Sequence, residues 1–192
     1  MSVRLVTAPG SYPVTIEEVK THLRVDHDEM DDHIDLLIQA ETAYVEDFTG
    51  RKLVPQTWDF FTDAFPTDGP LGLPLPKVNS VVVYYLDADG EEQALDADLY
   101  VADVDSEPAR IGLAANASWP TVYAGLNAVR VRMTVGNEEA GSSPPTPDVL
   151  ADMKLAIMLR VQASFDGGDS ARGLRETAEN YLRRRRVHLA LA

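Results

Sequence analysis

Residues 14–58 read "VTIEEVKTHLRVDHDEMDDHIDLLIQAETAYVEDFTGRKLVPQTW", and within them the apolar spacing changes from helical to strand-like. Thr15 stands three residues before Glu18, a capping box that opens a helix. Ile16, Val19 and Leu23 then share one face. "DHDEMDDH" (26–33) is a polar break whose acids suit the start of the next helix. That helix carries Ile34, Leu37, Ile38, Tyr44, Val45 and Phe48 at three- and four-residue spacing, and Gly50 is placed to cap its end. Past Leu53 the period shortens, and Thr57–Phe61 is rich in β-formers.

The strand period persists through the middle of the chain. "LPLPKVNSVVVYYLDADGEEQAL" (73–95) sets branched and aromatic residues before Asp89-Gly90, a hairpin turn. Leu99-Tyr100-Val101 is a short strand candidate. In "NAVRVRMTV" (127–135) Val129, Val131, Met133 and Val135 alternate with Arg130, Arg132 and Thr134, the pattern of a half-buried strand. No helical stretch separates these runs, so the sheet is expected to be antiparallel. "GNEEAGSSPPTP" (136–147) has linker composition. Thr146 and Pro147 then open a helix with Val149, Leu150, Met153, Ile157 and Val161 on its apolar face. "FDGGDSARG" (165–173) breaks it, and a last helix runs from about Ala171 through the arginines.

The expected fold is therefore α+β: a helical bundle from the N- and C-terminal helices with a central antiparallel β-rich region. The divisions are 1–52 (N-terminal helices), 53–136 (β-rich region), 137–147 (linker) and 148–192 (C-terminal helices and basic tail).

Charge is unevenly spread. The chain of 192 residues has formal net charge −14, yet residues 172–192 hold six arginines against two glutamates. Such a body suits no non-specific nucleic-acid surface; the basic end is set to meet something else. Cysteine is absent, which excludes disulfides, zinc ribbons and thiol catalysis. "MSVRLVTAPG" lacks the apolar centre of a signal peptide, and no run approaches the roughly 20 apolar residues of a membrane span. A soluble intracellular protein with no membrane partner is expected.

Catalytic signatures are missing. His27 and His33 are six apart, the wrong spacing for one helical face, so the acids around them read as a solvated helix start and not a metal site. "DADGEE" (87–92) lacks the later ligands of a calcium loop. There is no nucleophile elbow and no phosphate-binding loop. The expectation is no enzyme, no cofactor and no metal. Among the aromatics, Tyr84 and Tyr85 are strand neighbours and point to opposite faces, so one of them lies outside the core layer.

The C-terminal "RRRRVHLALA" (183–192) is the candidate partner-binding segment. If the helix continues through Arg183, Arg184, Arg185 and Arg186, their side chains sweep nearly its whole circumference, at about 100° per residue. They then suit an acidic partner that surrounds them, with Val187, Leu189 and Leu191 packing in a groove. The competing reading is a DNA-binding protein that uses this basic helix.

Several stretches together resemble one family. The pattern T-x-E-E-x-K-x-H-L-R-V at 15–25, the acidic turn, the helix ending Tyr44-Val45-Glu46 and Thr49-Gly50-Arg51, and Gln56-Thr57-Trp58 resemble the N-terminal signature of phage head–tail connector (adaptor) proteins. These occur in long-tailed phages and in phage-like gene transfer agents. The segments 73–95, "LYVAD" (99–103), "SWP" (118–120) and "AVRVRMTVG" (128–136) follow in that family's order. The resemblance implies a structural virion protein, made in the host cytoplasm: a ring, usually dodecameric, in the neck between the portal and a stopper or tail terminator. DNA would pass through its channel without sequence-specific binding. It also implies that the C-terminal segment engages the portal.

Overall fold

The computed structural model describes residues 1–137 and 151–187. Two compact units share them: a helical unit (10–54 with 137–188) and a β-unit built mainly from 1–9 and 55–136. The chain is α+β, as its periodicity predicts. The linker, the Thr146-Pro147 start and Val149 and Leu150 lie outside the described residues.

The helical unit comprises α1 (Ile16–Leu23), α2 (Asp31–Thr49), α3 (Ala151–Asp166) and α4 (Ser170–Arg183). The capping box forms: the Glu18 N–H donates to Thr15 Oγ1 at 3.2 Å, and the Thr15 N–H donates to Glu18 Oε2 at 2.9 Å. The acidic break has a local anchor. Lys20 Nζ reaches Asp28 at 2.6 Å and Asp31 at 2.7 Å, closing the turn between α1 and α2. These bonds raise the Lys20 pKa, and Lys20 holds the Asp28 carboxyl below its ordinary value. Val19, Ile34, Ile38 and Val45 meet Met153, Ile157, Val161 and Leu182 in one core. Each such side chain stabilises the fold by about 1.5–3 kcal/mol relative to exposure. Gly167 and Gly168, both at positive φ, provide the sharp return between α3 and α4.

The β-unit has two antiparallel sheets. The larger orders β1 (Ser2–Thr7), β2 (Gln56–Thr62), β8 (Val129–Val135), β4 (Val78–Leu86) and β5 (Glu92–Ala94) as β1-β2-β8-β4-β5. The smaller orders β3 (Leu71–Gly72), β7 (Arg110–Leu113) and β6 (Tyr100–Asp103) as β3-β7-β6. The alternation of β8 is fully expressed: Val129, Val131, Met133 and Val135 are all completely buried. Register sets Phe60 and Val83 on either side of Val131. Leu71, Leu73 and Ile111 join the same core. The β4–β5 hairpin turns at Asp89-Gly90, with Asp87 Oδ1 accepting from the N–H groups of Asp89 and Glu91.

Three strands escape the sequence pattern. β3 and β7 are too short to show a period. β1 lies inside the stretch 1–52 assigned to helices, yet it pairs with β2 from Ser2↔Phe61 to Thr7↔Thr57. All six of its residues are exposed, so backbone pairing and not burial holds it.

Candidate partner-binding surfaces

The arginine run is shaped by where α4 stops. The helix ends at Arg183, Arg184 is its C-cap, and the Arg185 N–H returns to the Leu182 carbonyl at 2.9 Å. This corrects the expected continuous helix through all four arginines. Leu182 is completely buried and ends the amphipathic stripe, so nothing apolar draws the next turn into helix. Arg183 is the last helical residue, and Arg184 and Arg185 stand in the turn that follows.

They also have different local partners. Arg183 lies 4.0 Å from Glu179, one helical turn back. Arg184 is exposed, with no ion pair among the described residues. Arg185 Nε donates to Asp152 Oδ2 at 2.8 Å, and its carbonyl accepts from Arg51 Nε at 2.9 Å. The Arg186 guanidinium sits 5.5 Å from the Phe48 ring centroid. The Val187 N–H donates to the Thr49 carbonyl at 2.8 Å. That bond completes a latch between the chain's basic end and the C-terminus of α2, where unpaired carbonyls favour cations. Gly50 makes the approach feasible: its φ is +69°, and a Cβ there would lie 3.0 Å from the Val187 carbonyl oxygen. Leu189 and Leu191 lie outside the described residues.

A second charged surface was not anticipated as a unit. On the sheet face opposite the core, Asp59 of β2 is fully buried beneath arginines. Arg132 grips it through two bonds, Nε to Oδ1 at 2.8 Å and Nη2 to Oδ2 at 3.0 Å. Arg130 reaches it at 3.3 Å and Arg4 at 3.5 Å. Arg130 also forms a two-bond pair with Glu92 and stacks 4.0 Å from the Tyr84 ring centroid. Burial pushes the Asp59 carboxyl up, but the bond from Arg132 and the Arg130 and Arg132 charges outweigh this and hold it below the usual carboxylate range. The alternation of "VRVRM" marked Arg130 and Arg132 as one face; the strand pairing that brings Arg4 and Asp59 beside them lies far away in sequence. Tyr84 is the outward tyrosine, while Tyr85 packs with Phe65 in the core.

A groove of about 480 Å³ lies in the helical unit, lined by Tyr12, Val14, Ile16 and Ile38 with Glu17, Asp31, Asp32 and Asp35 among its polar groups. Among the described residues no three or more His, Asp or Glu side chains are placed to hold a metal ion. No described helix is long and apolar enough to cross a membrane.

Residues 13–92 match the phage gp6-like head–tail connector protein family. The match takes in the quoted motifs from 15 to 58 and most of 73–95, and ends before those at 99–103, 118–120 and 128–136. Likeness of fold to solved structures extends over the whole chain. A chain in the virion of a native gene transfer agent particle superposes with TM-score 0.76 at 22% identity, covering 100% of this chain and 98% of its own. A chain in the neck of an empty gene transfer agent particle, computed with C6 symmetry, gives TM-score 0.75 at 22% identity, with 99% and 98% covered. One in the neck of a native particle, computed with C12 symmetry, gives 0.72 at 22% identity, with 100% and 98% covered. At such identities the likeness is one of fold. No curated protein sequence matches the chain.

Proposed function

We propose that this chain is a structural head–tail connector, an adaptor in the neck of a phage or gene transfer agent virion, and not an enzyme. The observation that carries the reading is the match of residues 13–92 to the gp6-like connector family. The whole-length fold shared with chains of gene transfer agent particles supports it. In this reading copies form a closed ring, a dodecamer where twelvefold symmetry applies, between the portal and a stopper or tail terminator. The C12 treatment of a structurally similar neck supports that ring. Packaged DNA threads the channel, and an acidic body repels phosphate so the duplex slides without sticking.

The C-terminal segment is the part assigned to the portal. Arg184 and Arg183 present exposed guanidinium groups, and Val187, Leu189 and Leu191 supply apolar contacts. The latch to Thr49 and Arg51 gives that segment a fixed departure point. Repeated around a ring, modest contacts from each tail sum to tight docking. The test is removal of residues 183–192 followed by portal pull-down and imaging of purified necks. Lost docking by a folded body is expected; undiminished docking overturns the tail's role. Absence of the full chain from purified necks overturns the connector reading itself.

A further inference from the structure

One strand stands out among the exposed apolar surfaces. Met1, Val3, Leu5 and Val6 all lie on or beside β1, each more than 40% exposed, far above what scattered surface residues would give one short strand. β1 is also an edge: among the described residues only β2 pairs with it, so one row of its N–H and C=O groups has no strand partner there. Proteins usually guard such an edge with lysine, proline or a very short strand. β1 is six residues long, has no proline or lysine, and carries a single charge, Arg4, whose side chain is 68% exposed. An edge of this kind is built to be covered.

The helical unit carries a surface of matching chemistry. The groove at the starts of α1 and α2 has an apolar wall of half-buried Tyr12 and Ile16 over buried Val14 and Ile38, and carboxylates of Glu17, Asp31, Asp32 and Asp35. Lys20 answers Asp31, and Gln39 donates to Asp35 at 2.7 Å, while Glu17 and Asp32 are exposed with no ion pair among the described residues. A strand with valine and leucine on one side and arginine on the other meets both needs of such a groove.

We infer that β1 of one copy docks in the α1–α2 groove of a second copy, Val3 and Leu5 against its apolar wall and Arg4 against its carboxylates. Each copy carries both a strand edge and a groove, and we assign the pairing to two different copies. The two patches differ, which makes the interface heterologous: each copy offers a strand to one neighbour and a groove to the other. Contacts of that type close into rings when the rotation fits. The inference rests on the connector reading for closure alone; the pairing itself stands on charge and apolar complementarity.

The test uses the full chain in a concentration series followed by analytical ultracentrifugation. Wild type is expected to self-associate. Val3→Ser with Leu5→Ser, and separately Asp32→Lys with Glu17→Lys, should each weaken association by about tenfold or more. All these positions are exposed, so far-ultraviolet circular dichroism should stay unchanged. The cysteine-free background adds a direct check. Leu5→Cys chains mixed with Asp32→Cys chains should form mixed disulfides under mild oxidation, in excess over self-pairing. Assembly as strong as wild type in both surface variants, or a wild type that stays monomeric throughout the series, overturns the interface. Rings that form in necks despite these substitutions overturn it while leaving the connector reading intact.

Discussion

Each unit holds a buried carboxylate under arginine and beside tyrosine, Glu41 in one and Asp59 in the other, and the two solutions differ. In the helical unit Glu41 of α2 receives Arg160 Nε at 2.6 Å and the Ser164 hydroxyl at 2.6 Å, and the Arg160 guanidinium lies 3.3 Å from the Tyr44 ring centroid. Both partners are enclosed between helices, one charge for one charge. In the β-unit Asp59 faces three arginines, two of them well exposed, and the arrangement spans four strands. The first arrangement specifies how α2 meets α3. The second spreads guanidinium groups over an outward sheet face, in a unit with twelve carboxylates and only five basic side chains. A one-to-one buried pair acts on packing; an over-supplied carboxylate acts on surface charge.

Breaking the enclosed pair should have the largest effect. Arg160→Ala leaves the Glu41 carboxylate buried with a single hydroxyl partner and should cost about 3–5 kcal/mol in urea unfolding. Glu41→Leu with Arg160→Met removes both charges and should recover most of that loss. If the double variant is as unstable as the single, the pair does more than neutralise itself.

The β-unit carboxylate should cost less to neutralise. Asp59→Asn keeps hydrogen-bond acceptance on one side while Glu92 still answers Arg130, so about 2–3 kcal/mol is expected. Its pH signature is specific. The Asp59 carboxyl is held below its ordinary value of 3.8, so its charge contributes stability that is present above that value and fades as pH falls through the lower folded value. Acid titration of the melting temperature should therefore be steeper below about pH 4 in wild type than in Asp59→Asn. Equal slopes would show that Asp59 does not carry the acid dependence.

How much of this was legible in the sequence follows from the range of the forces. The capping box, the apolar faces of α1 and α2, the β8 alternation and the Asp89-Gly90 turn are local, and each formed where its residues predicted. Asp59 meeting Arg130 and Arg132 depends on a strand pairing across about seventy residues, which no local pattern encodes. β1 was missed because its six residues are all exposed, so the strand has no buried face to write into the sequence. The arginine run misled for a related reason: composition showed four cations in a row, whereas the end of the buried stripe at Leu182 decided where the helix stopped.

The latch on α2 separates the tail's local geometry from its charge. Gly50→Ala forces an L-side chain to φ +69° and sets its Cβ against the Val187 carbonyl. About 1–2 kcal/mol should be lost, and the Val187 amide should exchange faster with solvent. Unchanged exchange at Val187 would mean that the Thr49 bond does not hold the tail.

The smallest effect should be a gain. Thr42 and Thr49 are both buried on α2, seven residues apart. The Thr49 hydroxyl donates to the Val45 carbonyl at 2.7 Å; the Thr42 hydroxyl has no partner among the described residues. The enclosed Glu41 pair shows that this interior accepts a polar group when its bonds are made, and Thr42, the next residue, tests the converse. Thr42→Val keeps the branched shape and removes an unmet donor, so stability should rise by about 0.5–1 kcal/mol. Thr49→Val removes a bonded hydroxyl and should lower stability by a similar amount. Opposite signs from one substitution on one helix would locate the control in bond satisfaction; equal signs would move it to side-chain volume.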